Sequence, residues 1–129
     1  MLCRRIPNDI TGSVVTECRS LWEIYDVLLS QKPELAERVS RDEYTARMLF
    51  LKRGGALFFE VREQNRPVAV GGIQMPPGGE YGLIFNLCTR PDCTGRGYGT
   101  QLVDRLCLEA FSQAESAVYA ITMEGFPLY

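Results

Sequence analysis

The stretch that decides the fold reads Leu87-Cys88-Thr89-Arg90-Pro91-Asp92-Cys93-Thr94-Gly95-Arg96-Gly97-Tyr98-Gly99-Thr100. Before it lies a mostly apolar run, Tyr81 to Thr89, which reads as a central strand. After it, Gly99 to Ser112 carries Leu102, Val103, Leu106, Ala110 and Phe111 at helical spacing. Gly95, Gly97 and Gly99 therefore alternate directly ahead of a helix. Glycines let backbone N–H groups turn toward one point, and the free amides of a helix start carry partial positive charge. Together they suit a phosphate or pyrophosphate, and Arg96 adds a side-chain cation. The glycines alone are equally consistent with a tight strand-to-helix turn that binds nothing. A Walker loop is excluded, because no Gly-Lys-Ser/Thr ending follows. The Rossmann fingerprint is excluded too: the spacing is GxGxG, and hairpin strands precede it rather than βαβ units.

Upstream, Thr16 to Ser30 places Leu21, Ile24, Tyr25 and Leu28 at helical spacing, and Pro33 ends or re-aims that helix. Ser40-Arg41-Asp42-Glu43 has the form of a capping box, opening a second helix through Tyr44, Met48, Leu49 and Leu51 that Gly54 and Gly55 stop. Ala56 to Val61 and Val68 to Ile73 flank the polar turn Glu63-Gln64-Asn65-Arg66, which predicts an antiparallel hairpin. Pro76-Pro77-Gly78-Gly79 is a further turn, and Ala117 to Met123 a last strand. The expected class is α/β, with an antiparallel start and one parallel crossover at the end.

Composition narrows the chemistry. The chain has 129 residues, enough for a single domain spanning 1–129. It carries 14 Lys+Arg against 16 Asp+Glu, so its net charge of -2 gives no reason to expect nucleic acid or an acidic membrane surface. No histidine is present, which excludes a Ser-His-Asp triad, a Cys-His pair and any histidine zinc site. The five cysteines are Cys3, Cys18, Cys88, Cys93 and Cys107; no pair has CxxC spacing, and an odd count fits a reducing cytosol. Cys107 sits among leucines and reads as core. No signal peptide or apolar run of membrane length is seen, so a cytoplasmic, membrane-free chain without a metal is expected.

The deciding stretch resembles the acyl-CoA-binding motif of the GNAT superfamily of N-acetyltransferases. Thr89-Arg90-Pro91-Asp92 matches the end of the family's central strand, and Gly97-Tyr98-Gly99 matches its paired small residues. The two early helices, the hairpin with Val70-Gly71-Gly72 and the last strand occur in the family's order, so the resemblance covers most of the chain. It implies a GNAT-like fold: a mixed central sheet with flanking helices. It also implies acetyl-CoA as cosubstrate and direct acetyl transfer to a primary amine on a small molecule or peptide. The backbone of Leu87, Cys88 and Thr89 would pair with the pantetheine arm. The amides of Thr94, Gly95, Arg96, Gly97, Tyr98, Gly99 and Thr100 would hold the pyrophosphate. The acetyl carbonyl would lie near Leu87, polarised by an amide there.

Two positions depart from the family. Thr94 stands where Arg or Gln is usual, leaving Arg96 and the amides for the phosphates. Tyr129 matches a tyrosine that in many members protonates the leaving thiolate, and those members continue into a Gly-Phe and further strands. The expectation is therefore a fold whose C-terminal strands are missing or supplied by a partner, with an open side that would accept a second copy. A truncated reading frame, a partner-completed fold and a degenerate relative all fit. So does a catalytically inactive acyl-CoA-binding or protein-interaction module.

Other candidates have plainer readings. Tyr129 is either a proton donor or a frayed end. Alternation puts Asn86 on one face with Ile84 and Cys88, opposite Phe85 and Leu87. Asn86 is a catalytic candidate through a substrate or water contact, with a structural hydrogen bond the preferred alternative. Cys88 reads as a small strand residue rather than a nucleophile, since nothing nearby would lower its pKa. Glu60, Glu80 and Glu124 read as solvated strand ends rather than general bases. Trp22, Tyr25 and Tyr44 read as core packing.

Overall fold

The central hairpin runs β3 (Leu57–Glu63) to β4 (Arg66–Gln74) through Gln64 and Asn65, whose φ angles are 52° and 65°. Two consecutive left-handed residues give the turn a twist that matches the strands, and Asn tolerates that conformation. Strand β5 (Tyr81–Thr89) lies antiparallel on the other side of β4, and β6 (Ala117–Ala120) runs parallel to β5. The sheet has the order β1-β6-β5-β4-β3-β2, with the short strands β1 (Leu2–Cys3) and β2 (Thr16–Glu17) at its edges. The computed structural model describes residues 2–3, 14–74, 81–111 and 117–120. The turn at 76–79, Glu80, Glu124 and Tyr129 lie outside the described residues.

Helices α1 (Trp22–Gln31) and α2 (Arg41–Arg53) cover one face of the sheet, and α3 (Tyr98–Phe111) covers the other. The capping box forms as the sequence predicts: Ser40 Oγ accepts from the Glu43 amide at 3.2 Å, and Glu43 Oε1 accepts from the Ser40 amide at 3.2 Å. Gly55, with φ 108°, supplies the left-handed residue after α2. Pro33 opens a 3-10 turn, Pro33–Glu37, and so redirects the chain between the helices. The expected helix from Thr16 begins late, because Thr16 and Glu17 pair with Glu60 and Phe59 at the sheet edge. Two residues are too few for alternation to reveal a strand. Both edge strands escaped the sequence reading for that reason.

The two faces have different cores. Phe59, Val61, Ile73 and Ile84 pack under Leu102, Leu106 and Cys107 of α3. Phe58 and Val70 pack against Ile24, Tyr25, Tyr44 and Met48 of α1 and α2. Gly72 lets the edge-to-face pair Phe58–Phe85 close over the sheet, with ring centroids 5.5 Å apart. A Cβ at Gly72 would sit 2.9 Å from Phe85 and 3.1 Å from Phe58, so only glycine fits there without a shift. Tyr25 and Tyr44 are core, as expected, but Trp22 is 47% exposed, with the Arg41 guanidinium 5.6 Å from its ring centre. Glu60 is no solvated strand end. It is 1% exposed and accepts from Arg62 Nη1 at 3.2 Å and from the Arg19 amide at 3.4 Å, while Arg62 also holds Glu23 at 2.8 Å. A carboxylate is buried there because a guanidinium is buried beside it.

Candidate functional site

Strand β5 carries a β-bulge. Val70 pairs with Cys88 and Gly72 with Phe85, so Asn86 and Leu87 together oppose the single residue Gly71. Asn86 has φ 55°, a left-handed value that asparagine adopts more readily than most residues. The bulge breaks the expected alternation. Ile84 and Leu87 pack on the α3 side, whereas Phe85 and Cys88 pack on the α1–α2 side. Asn86 lies with the latter pair: its Nδ2 donates to the Tyr44 hydroxyl and to Met48 Sδ. It is 1% exposed, and its Oδ1 is buried without a hydrogen-bond partner among the described residues. Period-two counting could not find this, because one left-handed residue moves every later side chain to the other face.

Beyond the bulge, β5 presents an edge. The Arg90 amide donates to the Val68 carbonyl at 2.7 Å, so Arg90 and Cys88 direct their backbone groups at β4. By alternation Thr89 and Leu87 direct theirs to the opposite side. On that side β6 pairs with residues 81–84, and among the described residues no strand pairs with 85–89. The Thr89 carbonyl there accepts from Gln31 Nε2 at 2.6 Å, which ties the end of α1 to the end of β5.

The glycine loop follows. Gly95 and Gly97 have φ of 83° and 80°, and a Cβ added at either, or at Gly99, would meet no atom within 4 Å. The glycines are thus needed for backbone shape and open approach, not for packing inside the chain. The Gln101 amide donates to the Gly97 carbonyl at 3.1 Å, so Gly97 caps α3. The amides of Tyr98, Gly99 and Thr100 are then the first of the helix and lack intrahelical acceptors. Thr94 is exposed, and its hydroxyl donates to the Pro91 carbonyl at 3.1 Å. These features fit a pyrophosphate: a concave run of amides, open space where side chains would stand, and a helix start.

Arg96 is not a free cation. Its Nη1 donates to Glu63 Oε1 at 2.5 Å, and the Tyr98 hydroxyl donates to Glu63 Oε2. The Tyr98 and Arg96 contacts hold the Glu63 carboxyl below the usual carboxylate range. Arg66 pairs with Asp92 at 3.3 Å, and Arg90 Nε donates to the Pro67 carbonyl at 2.9 Å. The turn of the β3–β4 hairpin therefore braces the loop. The sequence reading took Glu63 for an ordinary turn residue, since its partners lie 33 and 35 positions away.

Cys88 donates to the Val27 carbonyl at 3.6 Å, and burial pushes its thiol up to about 11. Among the described residues no group of three or more His, Cys, Asp or Glu is placed to hold a metal, and no helix is long and apolar enough to cross a membrane. A shallow cavity of about 460 Å³ lies between the start of α1 and the second half of α2, lined by Leu21, Trp22, Thr45, Leu49, Lys52 and Arg53. None of its lining comes from β5 or the glycine loop.

Solved structures share this arrangement. An acetyltransferase-like protein of Agrobacterium tumefaciens superposes with a TM-score of 0.68 at 21% identity, covering 88% of this chain and 83% of that one. A predicted acetyltransferase from Clostridium acetobutylicum, solved with acetyl-CoA, gives 0.64 at 18% identity over 88% and 82% of the two chains. Glucosamine-6-phosphate N-acetyltransferase of Arabidopsis thaliana gives 0.65 at 14% identity over 82% and 79%. No curated protein matches the chain by sequence. The sequence profile of the family described as "Acetyltransferase (GNAT) family" matches residues 21–126. With that match over most of its length, on a sheet and glycine loop of the form just described, the chain belongs to the GNAT acetyltransferase family.

Proposed function

We propose that the protein transfers an acetyl group from acetyl-CoA to a primary amine by direct attack. The observation that carries this reading is the glycine loop: Gly95 and Gly97 are both left-handed, and together with Gly99 they leave open space in front of the first amides of α3. The pyrophosphate would rest on the amides from Gly95 to Thr100, and the pantetheine arm on the outward backbone groups of Leu87 and Thr89. Acetyl-CoA supplies an activated thioester carbonyl. The bulge at Asn86 and Leu87 locally disrupts the β5 ladder, and an amide freed there can donate to that carbonyl as negative charge builds on its oxygen. The amine nitrogen bonds to the acetyl carbon, the carbon–sulfur bond breaks, and the proton lost by the amine ends on the CoA sulfur. Tyr129 is the candidate donor of that proton by its match to the family pattern.

Asn86 is read as a positioning residue that fixes the bulge through Tyr44, because its side chain is buried among α2 residues. Cys88 is read as structural. With a thiol at about 11, only about one molecule in ten thousand is thiolate at pH 7. Intact-mass spectrometry of protein mixed with acetyl-CoA and no amine is expected to show no added acetyl group. A stable acetyl adduct on Cys88 would require a two-step route instead.

The reading is tested by calorimetry with acetyl-CoA, followed by CoA thiol release across a panel of amines. Binding with amine-dependent thiol release supports the enzyme. Binding without release from any amine supports an acyl-CoA-binding module, and no binding at millimolar acetyl-CoA removes both.

A further inference from the structure

Gly95 and Gly97 hold left-handed conformations with no neighbouring atoms within 4 Å of where a Cβ would stand, so nothing packs around them to fix that shape. Flexible glycines lose more conformational freedom on ordering than other residues do. Their order must come from their flanks. Arg66–Asp92 and the two Arg90 bonds fasten the chain ahead of Gly95. Glu63 extends the fastening beyond it: one carboxylate oxygen takes Arg96, the other takes Tyr98, and Cys93 Sγ lies 3.9 Å from the first. These three partners stand on both sides of Gly95 and Gly97.

We propose that Glu63 is a positioning residue for the glycine loop, its carboxylate clamping Arg96 and Tyr98 so that the amides of residues 95–100 are arranged for an anion before acetyl-CoA arrives. The inference rests on the acetyl-CoA reading above and adds to it a residue that touches no cosubstrate. The arrangement explains why a carboxylate is tolerated beside an anion site. Glu63 neutralises Arg96 rather than facing the ligand, and its effect is to order the loop. A loop ordered in advance loses less freedom when the ligand binds, which raises affinity.

Glu63→Gln removes the charge and offers one acceptor oxygen where two were used. The expected result is a rise of about tenfold in Kd and KM for acetyl-CoA with kcat held, since the clamp acts on binding and not on the reacting atoms. Tyr98→Phe, which keeps the ring, should move in the same direction. The double variant should lose little more than the worse single, because both remove one clamp. Wild-type affinity in Glu63→Gln, tighter binding from a freed Arg96, or fully additive losses would each overturn the proposal. Hydrogen exchange without any ligand separates this outcome from failure of the acetyl-CoA reading. The amides of Gly97 to Thr100 should exchange faster in Glu63→Gln than in wild type while those of β4 do not. Unchanged loop exchange would overturn the clamp whether or not acetyl-CoA binds.

Discussion

Replacing Gly97 by valine is expected to abolish acetyl-CoA binding while the fold survives. The native φ is 80°, and a β-branched residue held there costs roughly 1–3 kcal/mol, so the loop will leave that conformation rather than keep it. No protein atom lies within 4 Å of the new Cβ, so the core is untouched. The amides that converge on one point in the native loop would then diverge. An affinity loss of at least about 100-fold, equivalent to about 3 kcal/mol, should appear in calorimetry. The melting temperature should fall by only a few degrees. Wild-type affinity in this variant would mean that the loop's shape is not what binds the cosubstrate.

The second large effect is expected at Asn86. Asn86→Leu leaves the buried Tyr44 hydroxyl without its partner, a loss of about 1–3 kcal/mol, and adds about 1–2 kcal/mol for a bulky residue at φ 55°. The sum is about 3 kcal/mol, which for a domain of this size lowers the melting temperature by roughly 10 °C. Asn86→Gly keeps the backbone shape and should show about half that loss, on the order of the hydrogen-bond part alone. If leucine and glycine were equally harmful, the left-handed conformation would not be a constraint. Activity should fall more in the leucine variant than its stability predicts, because the bulge sets the direction of the backbone at Leu87.

The contrast between these two sites shows what the sequence could reveal. The glycine loop was legible because its cause is local: three alternating glycines before an amphipathic run admit few backbone shapes. The capping box at Ser40 and the hairpin around Gln64 and Asn65 were legible for the same reason. The bulge was not, because asparagine in an apolar strand gives no sign of its φ, and the partner that rewards it, Tyr44, lies 42 residues away. Glu60 reads as polar at any sequence position; only the fold puts Arg62 and Glu23 beside it. Glu63 was similarly opaque, since the loop it clamps arrives from the far side of β5. Contacts between distant segments carry the details of this site, whereas local patterning carries its location.

The most direct test is an amide NMR titration of the full chain with acetyl-CoA. The account predicts the largest shifts at Gly95, Gly97, Tyr98, Gly99 and Thr100, with a second group along Leu87 to Thr89, and little change near Trp22 and Leu49. Shifts confined to the cavity between α1 and α2, or none at millimolar acetyl-CoA, would contradict it.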